Sequence, residues 1–192
     1  TVVMIHGLTD SPWFMRSLGE ILYAQGYNVI SLLLPGHGTS PEGLLHVTKK
    51  QWQQEVDLGL RMAAGLGSNI SLAGFSTGGT LALDALRRHP EFKAEKLFLF
   101  SPALAIHESN SKKVALACRA PGLISHILGE YDDADSVEDN PYRYNRMAYN
   151  GICQLHYLIK DIHTEWTRAL WPACAQGPGF LRWSQRLIQR SA

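Results

Sequence analysis

Gly74-Phe75-Ser76-Thr77-Gly78 sets a serine between two glycines, each two residues away, after a short apolar run and before a stretch of helical spacing. That spacing is the GxSxG pattern of a nucleophile elbow, a strained strand-to-helix turn that lifts a hydroxyl clear of a sheet so that it can attack a carbonyl. Gly74, Gly78 and Gly79 are small enough for the strand and the helix to pass closely. Attack on an acyl group puts negative charge on the carbonyl oxygen, and fixed backbone N–H donors can hold it. The candidate donors are Thr77, directly after the serine, and Leu8, in the His6-Gly7-Leu8 segment that ends the first apolar run. His6 is expected to be a loop histidine bonded to backbone rather than a catalytic base.

These residues need elements to position them. Thr1 to Ile5 is a β-branched run without alternation, as in a strand buried on both faces of a parallel sheet. Ser11 is a plausible N-cap with Pro12 at the first helical position, Phe14, Leu18, Ile21 and Leu22 recur at helical spacing, and Gly26 suits a left-handed end. Tyr27 to Leu33 returns to strand character. Leu34 to Pro41 is dense in breakers and reads as a loop, with His37 and His46 as plain loop residues. Trp52, Val56, Leu60 and Ala63 mark a second helix closed by Gly65 and Gly67. Ile70 to Ala73 predicts a third strand, Gly78 to His89 a third helix stopped by Pro90, and Leu97 to Phe100 a fourth strand. Strict alternation of strand and helix implies right-handed crossovers and a parallel sheet.

Beyond Ala103 the pattern changes to helical stretches broken by Pro121-Gly122 and by an acidic, turn-rich segment from Tyr131 to Pro141, with no strand expected. Three divisions follow: a core over residues 1–105, a helical cap over 106–165, and an atypical basic tail over 166–192. The tail contains no Asp, Glu or His, and its only charges are Arg168, Arg182, Arg186 and Arg190.

Bulk composition sets limits. The chain has 192 residues, 45% of them hydrophobic and 18% charged, which suits one sizeable globular core. A net charge of +1 gives no field to steer nucleic acid, so no such partner is expected. Cys118, Cys153 and Cys174 are odd in number and widely spaced, with no CxxC pair, so a reducing, cytoplasmic compartment is expected. The apolar start is too short for a signal h-region or a membrane span and reads as a cut through a domain.

The order IHGLTDSP, LLLPGHGTSP, GFSTGG, LFLFSPAL resembles the α/β-hydrolase superfamily. The PGHG loop with GxSxGG is most similar to its carboxylesterase and monoacylglycerol lipase branch, also grouped with serine aminopeptidase-type hydrolases. The resemblance covers residues 1–105 and, as a cap, 106–165. It implies an α/β fold with a mainly parallel sheet and helical cap, truncated at both ends. It further implies two-step hydrolysis of a small-molecule ester with an apolar acyl chain, by way of an acyl-enzyme on Ser76, without cofactor.

The chain departs from the family pattern where an acid and then a histidine should follow on loops beyond the cap. After Glu165 it has neither. A triad would have to borrow from Asp161 with His163, or from His156, and neighbours at i and i+2 diverge on a helix. The grouping of His156, Asp161, His163 and Glu165 lacks metal-ligand spacing and reads as a polar helix face; no metal is proposed. The tail is read as a basic amphipathic helix touching a membrane surface, as an ordinary closing helix, or as an aberrant continuation, and the last is preferred. The alternative to an esterase is an inactive hydrolase-fold fragment or a binding module. Leu97 to Phe100, left at a sheet edge, predicts a poorly soluble, marginally stable product.

Overall fold

The computed structural model describes residues 1–105, 118–119, 131–133 and 140–169, with side chains omitted at 131–133 and 165–169. Four parallel strands, β1 (Val2–Ile5), β2 (Val29–Leu32), β3 (Ser71–Phe75) and β4 (Leu97–Phe100), form a sheet in the order β2-β1-β3-β4. The alternating pattern of the first hundred residues is thus borne out, with β2 and β3 shifted by one or two residues from their expected bounds.

The lack of alternation in β1 has a direct cause, since both of its faces are covered. Val3 and Ile5 pack with Trp52, Val56 and Leu60 of α2 (Lys49–Leu66) and with Leu81, Ala82 and Ala85 of α3 (Thr77–Arg88). Val2 and Met4 pack on the opposite side with Met15 and with Leu22 of α1 (Arg16–Ala24). Each fully buried side chain of this size contributes about 1.5–3 kcal/mol. On the α2–α3 side a polar tie is added: buried Asp84 accepts from Gln53, Arg87 and Arg88, and Arg88 also forks onto Asp57 at 2.8 Å.

The chain first crosses from β1 to β2 on one side, then passes to β3 on the other. Order therefore reverses between β1 and β3, and the carboxyl ends of the strands at such a point bound a crevice where ligands of open α/β sheets sit. Those ends carry His6-Gly7-Leu8 and Phe75-Ser76.

Several expectations are corrected. Pro12 does begin a helical turn, but it is a 3₁₀ turn, Pro12–Met15, ahead of α1, and Ser11 makes no side-chain cap bond; its hydroxyl is buried without a partner among the described residues. Gly26 does take a left-handed φ of 87°. The segment over 106–165, expected to have no strand, does contain two: β5 (Tyr131–Asp133) pairs antiparallel with β6 (Arg146–Ala148). Three residues in a polar context are too short to show a period, so pairing across the intervening chain had no local signature. Cys118 and Cys153 are joined in a disulfide with Cα atoms 5.2 Å apart, which removes the basis for expecting reduced thiols and a reducing compartment.

The long helix α4 (Tyr149–Ala169) runs past the expected boundary at residue 165. Its Leu158, with Ala148 before it, joins the core on the α2–α3 side. Asn150 donates to the carbonyls of Leu44 and Val47, and Gln154 accepts from the Lys49 amide. The remainder of the tail, 170–192, lies outside the described residues. Among the described residues no helix is long and apolar enough to cross a membrane.

Candidate active site

Ser76 stands between β3 and α3 with φ 51° and ψ −116°, a conformation that a side-chain-bearing residue seldom adopts. The surroundings impose it. The Ser76 N–H donates to the Phe100 carbonyl at 3.0 Å, while its own carbonyl accepts from Gly79, Thr80 and Ala103 at 3.0–3.2 Å. A methyl on Gly74 would strike the backbone of Gly78 and Gly79, and one on Gly78 would strike the carbonyls of Ile5 and His6. The turn can close only because both positions lack a Cβ.

The Gly78 contacts also place the His6-Gly7-Leu8 loop directly against the Ser76 turn, and Gly7 itself sits between the Asp10 carboxylate and the Phe75 ring. The loop is held through the Gly7–Leu8 peptide. Its carbonyl accepts from the His6 Nδ1 at 2.8 Å and from the Asp10 amide at 3.3 Å. In a trans peptide the C=O and N–H point in opposite directions, so anchoring the Gly7 carbonyl fixes the direction of the Leu8 N–H. Neither the Leu8 nor the Thr77 N–H is taken by another group among the described residues. Thr77 is wholly buried, and its hydroxyl has no partner among the described residues.

Protonation supports this arrangement. The Leu34 N–H reaches the His6 Nε2 at 3.2 Å, so the neutral Nδ1–H tautomer satisfies both of its neighbours. Burial, followed by the nearby His37, pushes the His6 pKa down to about 3, partly opposed by the Gly7 bond. His6 is therefore the backbone-bonded loop histidine expected.

His37 proves to be more than a plain loop residue. It is buried, its Nε2 donates to the Leu8 carbonyl at 2.7 Å, and its ring meets His6 edge-on at 4.7 Å. Burial lowers its pKa against three carbonyl contacts. A stretch far along the chain also reaches this loop: Tyr144 donates its N–H to the Thr9 carbonyl at 2.8 Å and its hydroxyl to the Gly36 carbonyl at 3.1 Å. Arg143 Nε lies 3.5 Å from Asp10 Oδ1. Asp10 is buried, and desolvation raises its pKa despite Arg143 and His37. Asp10, Arg143 and Tyr144 were not singled out from sequence. HGLTDSP shows an acid beside the loop but not the arginine 133 positions away that meets it.

Two of the residues considered for borrowing are otherwise engaged. Asp161 pairs with Lys49, and His163 Nε2 donates to the Leu104 carbonyl at 2.7 Å, near the Ala103 amide that holds Ser76. His156 is half-buried, with its pKa lowered by desolvation and then by Lys160. Among the described residues no histidine or carboxylate hydrogen-bonds the Ser76 hydroxyl, and no three of His, Cys, Asp and Glu are grouped to hold a metal ion.

The family model described as serine aminopeptidase, S33 matches residues 1–173. A thermostable monoacylglycerol lipase of Bacillus sp. (strain H-257) is 36% identical over 90 residues, covering 47% of this chain and 36% of that protein. Phospholipase YtpA of Bacillus subtilis (strain 168) is 27% identical over 128 residues, covering 66% and 49%. The chain thus spans half or less of the length of these curated relatives. Among solved structures, one from a study of the metagenome-derived lipolytic enzymes LipS and LipT has a TM-score of 0.69 at 24% identity, covering 85% of this chain and 65% of that one. The monoacylglycerol lipase of Paleococcus ferrophilus has a TM-score of 0.64 at 22% identity, covering 85% and 67%.

Proposed function

The chain belongs to the serine aminopeptidase S33 family, and from that premise we propose that it is a carboxylic-ester hydrolase of the monoacylglycerol lipase type, with Ser76 as nucleophile. The observation that carries the reading is the strained Ser76 backbone, φ 51° between a strand and a helix, beside a loop whose free amide is directed by its own anchored carbonyl.

In the reaction, Ser76 Oγ bonds to the ester carbonyl carbon as its proton passes to a base. The carbonyl oxygen becomes an oxyanion held by the Leu8 and Thr77 amides, with Gly7, Gly74 and Gly78 keeping loop and elbow in register. The carbon–oxygen bond to the alcohol then breaks, the alcohol leaves with the proton, and water repeats the cycle to free the acid. Removal of one such amide donor typically costs a hundred- to a thousandfold in turnover. A small-molecule ester with an apolar acyl chain fits the names of the relatives, and residues 106–165 would form the cap over it. No cofactor is required.

A second reading rests on one observation: no histidine or carboxylate reaches the Ser76 hydroxyl among the described residues. A fold of this kind without its base would bind esters and turn them over poorly. A fluorophosphonate probe separates the two. Covalent labelling that disappears in Ser76→Ala supports the hydrolase; a folded chain that stays unlabelled at high probe concentration defeats it in favour of a binding module.

A further inference from the structure

Three aromatic rings beside the Leu8 loop are left in solvent although the core next to them is filled by Met15 and Leu22. Trp13 is 36% exposed, Phe14 39% and Tyr142 47%. They form one cluster drawn from two distant segments. The Trp13 and Tyr142 rings stack at 4.4 Å with planes 4° apart, and Phe14 meets Trp13 edge-on at 5.6 Å. The Arg16 guanidinium lies 4.2 Å from the centre of the Trp13 ring, and Arg143, half-exposed, follows Tyr142.

We propose that Trp13, Phe14, Tyr142 and Arg16 form a docking patch for a phospholipid surface beside the Leu8 loop. Indole and phenol rings have an apolar body and a polar tip and settle at the headgroup level of a bilayer. A guanidinium beside them presents a fork of N–H donors to lipid phosphate. Stacking holds the rings in place before binding, so little rotamer freedom remains to be lost on contact.

Area decides against a second copy or a folded protein partner. At these exposures, three such side chains present on the order of 300 Å², well under the roughly 800 Å² per partner of a stable protein interface. A lipid surface sets no such minimum, because each ring partitions on its own account. Position supports the same occupant. Trp13 follows Leu8 by five residues, and Tyr144, two residues past Tyr142, is bonded to the Thr9 and Gly36 carbonyls. A surface that engages the patch therefore lies beside the loop carrying the Leu8 amide.

The choice of lipid over other amphiphiles rests on the ester-hydrolase reading, but binding is measured without turnover, so a failure of fluorophosphonate labelling and a failure of docking are separate results. The full chain is sedimented with vesicles of phosphatidylcholine, with and without phosphatidylglycerol. Wild type should bind, and Trp13→Ala/Tyr142→Ala should bind about tenfold more weakly, corresponding to about 1.4 kcal/mol. Arg16→Gln should lose about fivefold on the anionic vesicles. Tryptophan fluorescence should be quenched by brominated lipid in wild type and much less in Trp13→Phe, a substitution that keeps a ring in place and covers the case where the double variant does not fold. Absence of binding by wild type overturns the proposal. So does equal binding by a folded double variant, which would place the contact elsewhere, as on the Arg182–Arg190 segment. Equal quenching in Trp13→Phe, or a dimer abolished by the double substitution without vesicle binding, also overturns it.

Discussion

β1 and β4 are each four residues long and wholly apolar, yet they occupy opposite conditions. Val2, Val3, Met4 and Ile5 are buried between two neighbouring strands. Leu97, Leu99 and Phe100 are exposed, and β4 has a strand on one side only among the described residues. An apolar run thus reports that a strand forms, not how many neighbours it has. The two strands nevertheless serve one turn: the ends of β1 lie against Gly78, and the Phe100 carbonyl of β4 holds the Ser76 amide. The Ser76 turn is braced rigidly from one side and from an open edge on the other.

The sharpest way to break this contrast is Gly78→Ala. Its new methyl meets backbone carbonyls that have no room to shift, so the loss should reach about 4 kcal/mol or abolish folding. Gly65→Ala has open space around it within α2 and should be neutral or stabilise by up to about 1 kcal/mol. Urea unfolding of the pair checks both. Equal effects would mean that the close approach of α3 to β1 does not hold in solution.

Next in size is the strand-for-strand test. Ile5→Ala should cost about 2–5 kcal/mol, as for any fully buried aliphatic truncation. Leu99→Ala, already a third exposed, should cost about 1 kcal/mol or less, again by urea midpoint. Similar losses would show that β4 is covered by other parts of the chain.

A smaller effect is expected from acid. His6 is neutral in the fold with a pKa of about 3 and ordinary near 6.5 when unfolded. The unfolded chain therefore takes up the proton first, and the stability contribution is full above pH 6.5 and is lost as pH falls toward 3. Between pH 7 and pH 5 the loss from this group is about 2 kcal/mol. His6→Asn keeps an N–H for the Gly7 carbonyl but does not titrate, so its urea midpoint should fall less over that interval. The same slope in both proteins would remove His6 as the source.

What sequence made legible divides along the same line. The elements of the first hundred residues, and the sharp turn at Ser76, rest on local facts: periodicity, breakers, and glycines two residues either side of Ser76. The Thr48 and Gln51 capping box that starts α2 is equally local, with its T-x-x-Q spacing plain in the sequence. The Arg143–Asp10 contact, Tyr144 on Gly36, the β5–β6 pairing and the Cys118–Cys153 disulfide join residues up to 133 positions apart. None leaves a trace in spacing, because each partner is unremarkable in its own neighbourhood. His37 fell on the wrong side for that reason: the PGHG segment shows a loop, while its burial and its bond to Leu8 depend on a segment 29 residues earlier.

The smallest change in stability should come from Leu99→Lys, and it bears most directly on the open edge. A lysine on an edge strand keeps its stem on the apolar surface and its charge in water, and it opposes pairing with another chain. The melting midpoint should move by no more than about 0.5 kcal/mol equivalent, while light scattering at high concentration should fall well below that of wild type. The same substitution at Ile5 would bury the charge and should prevent folding. Unchanged scattering in Leu99→Lys, with wild type already clear, would mean that the β4 edge is protected in solution and that the two strands differ less than their exposures indicate.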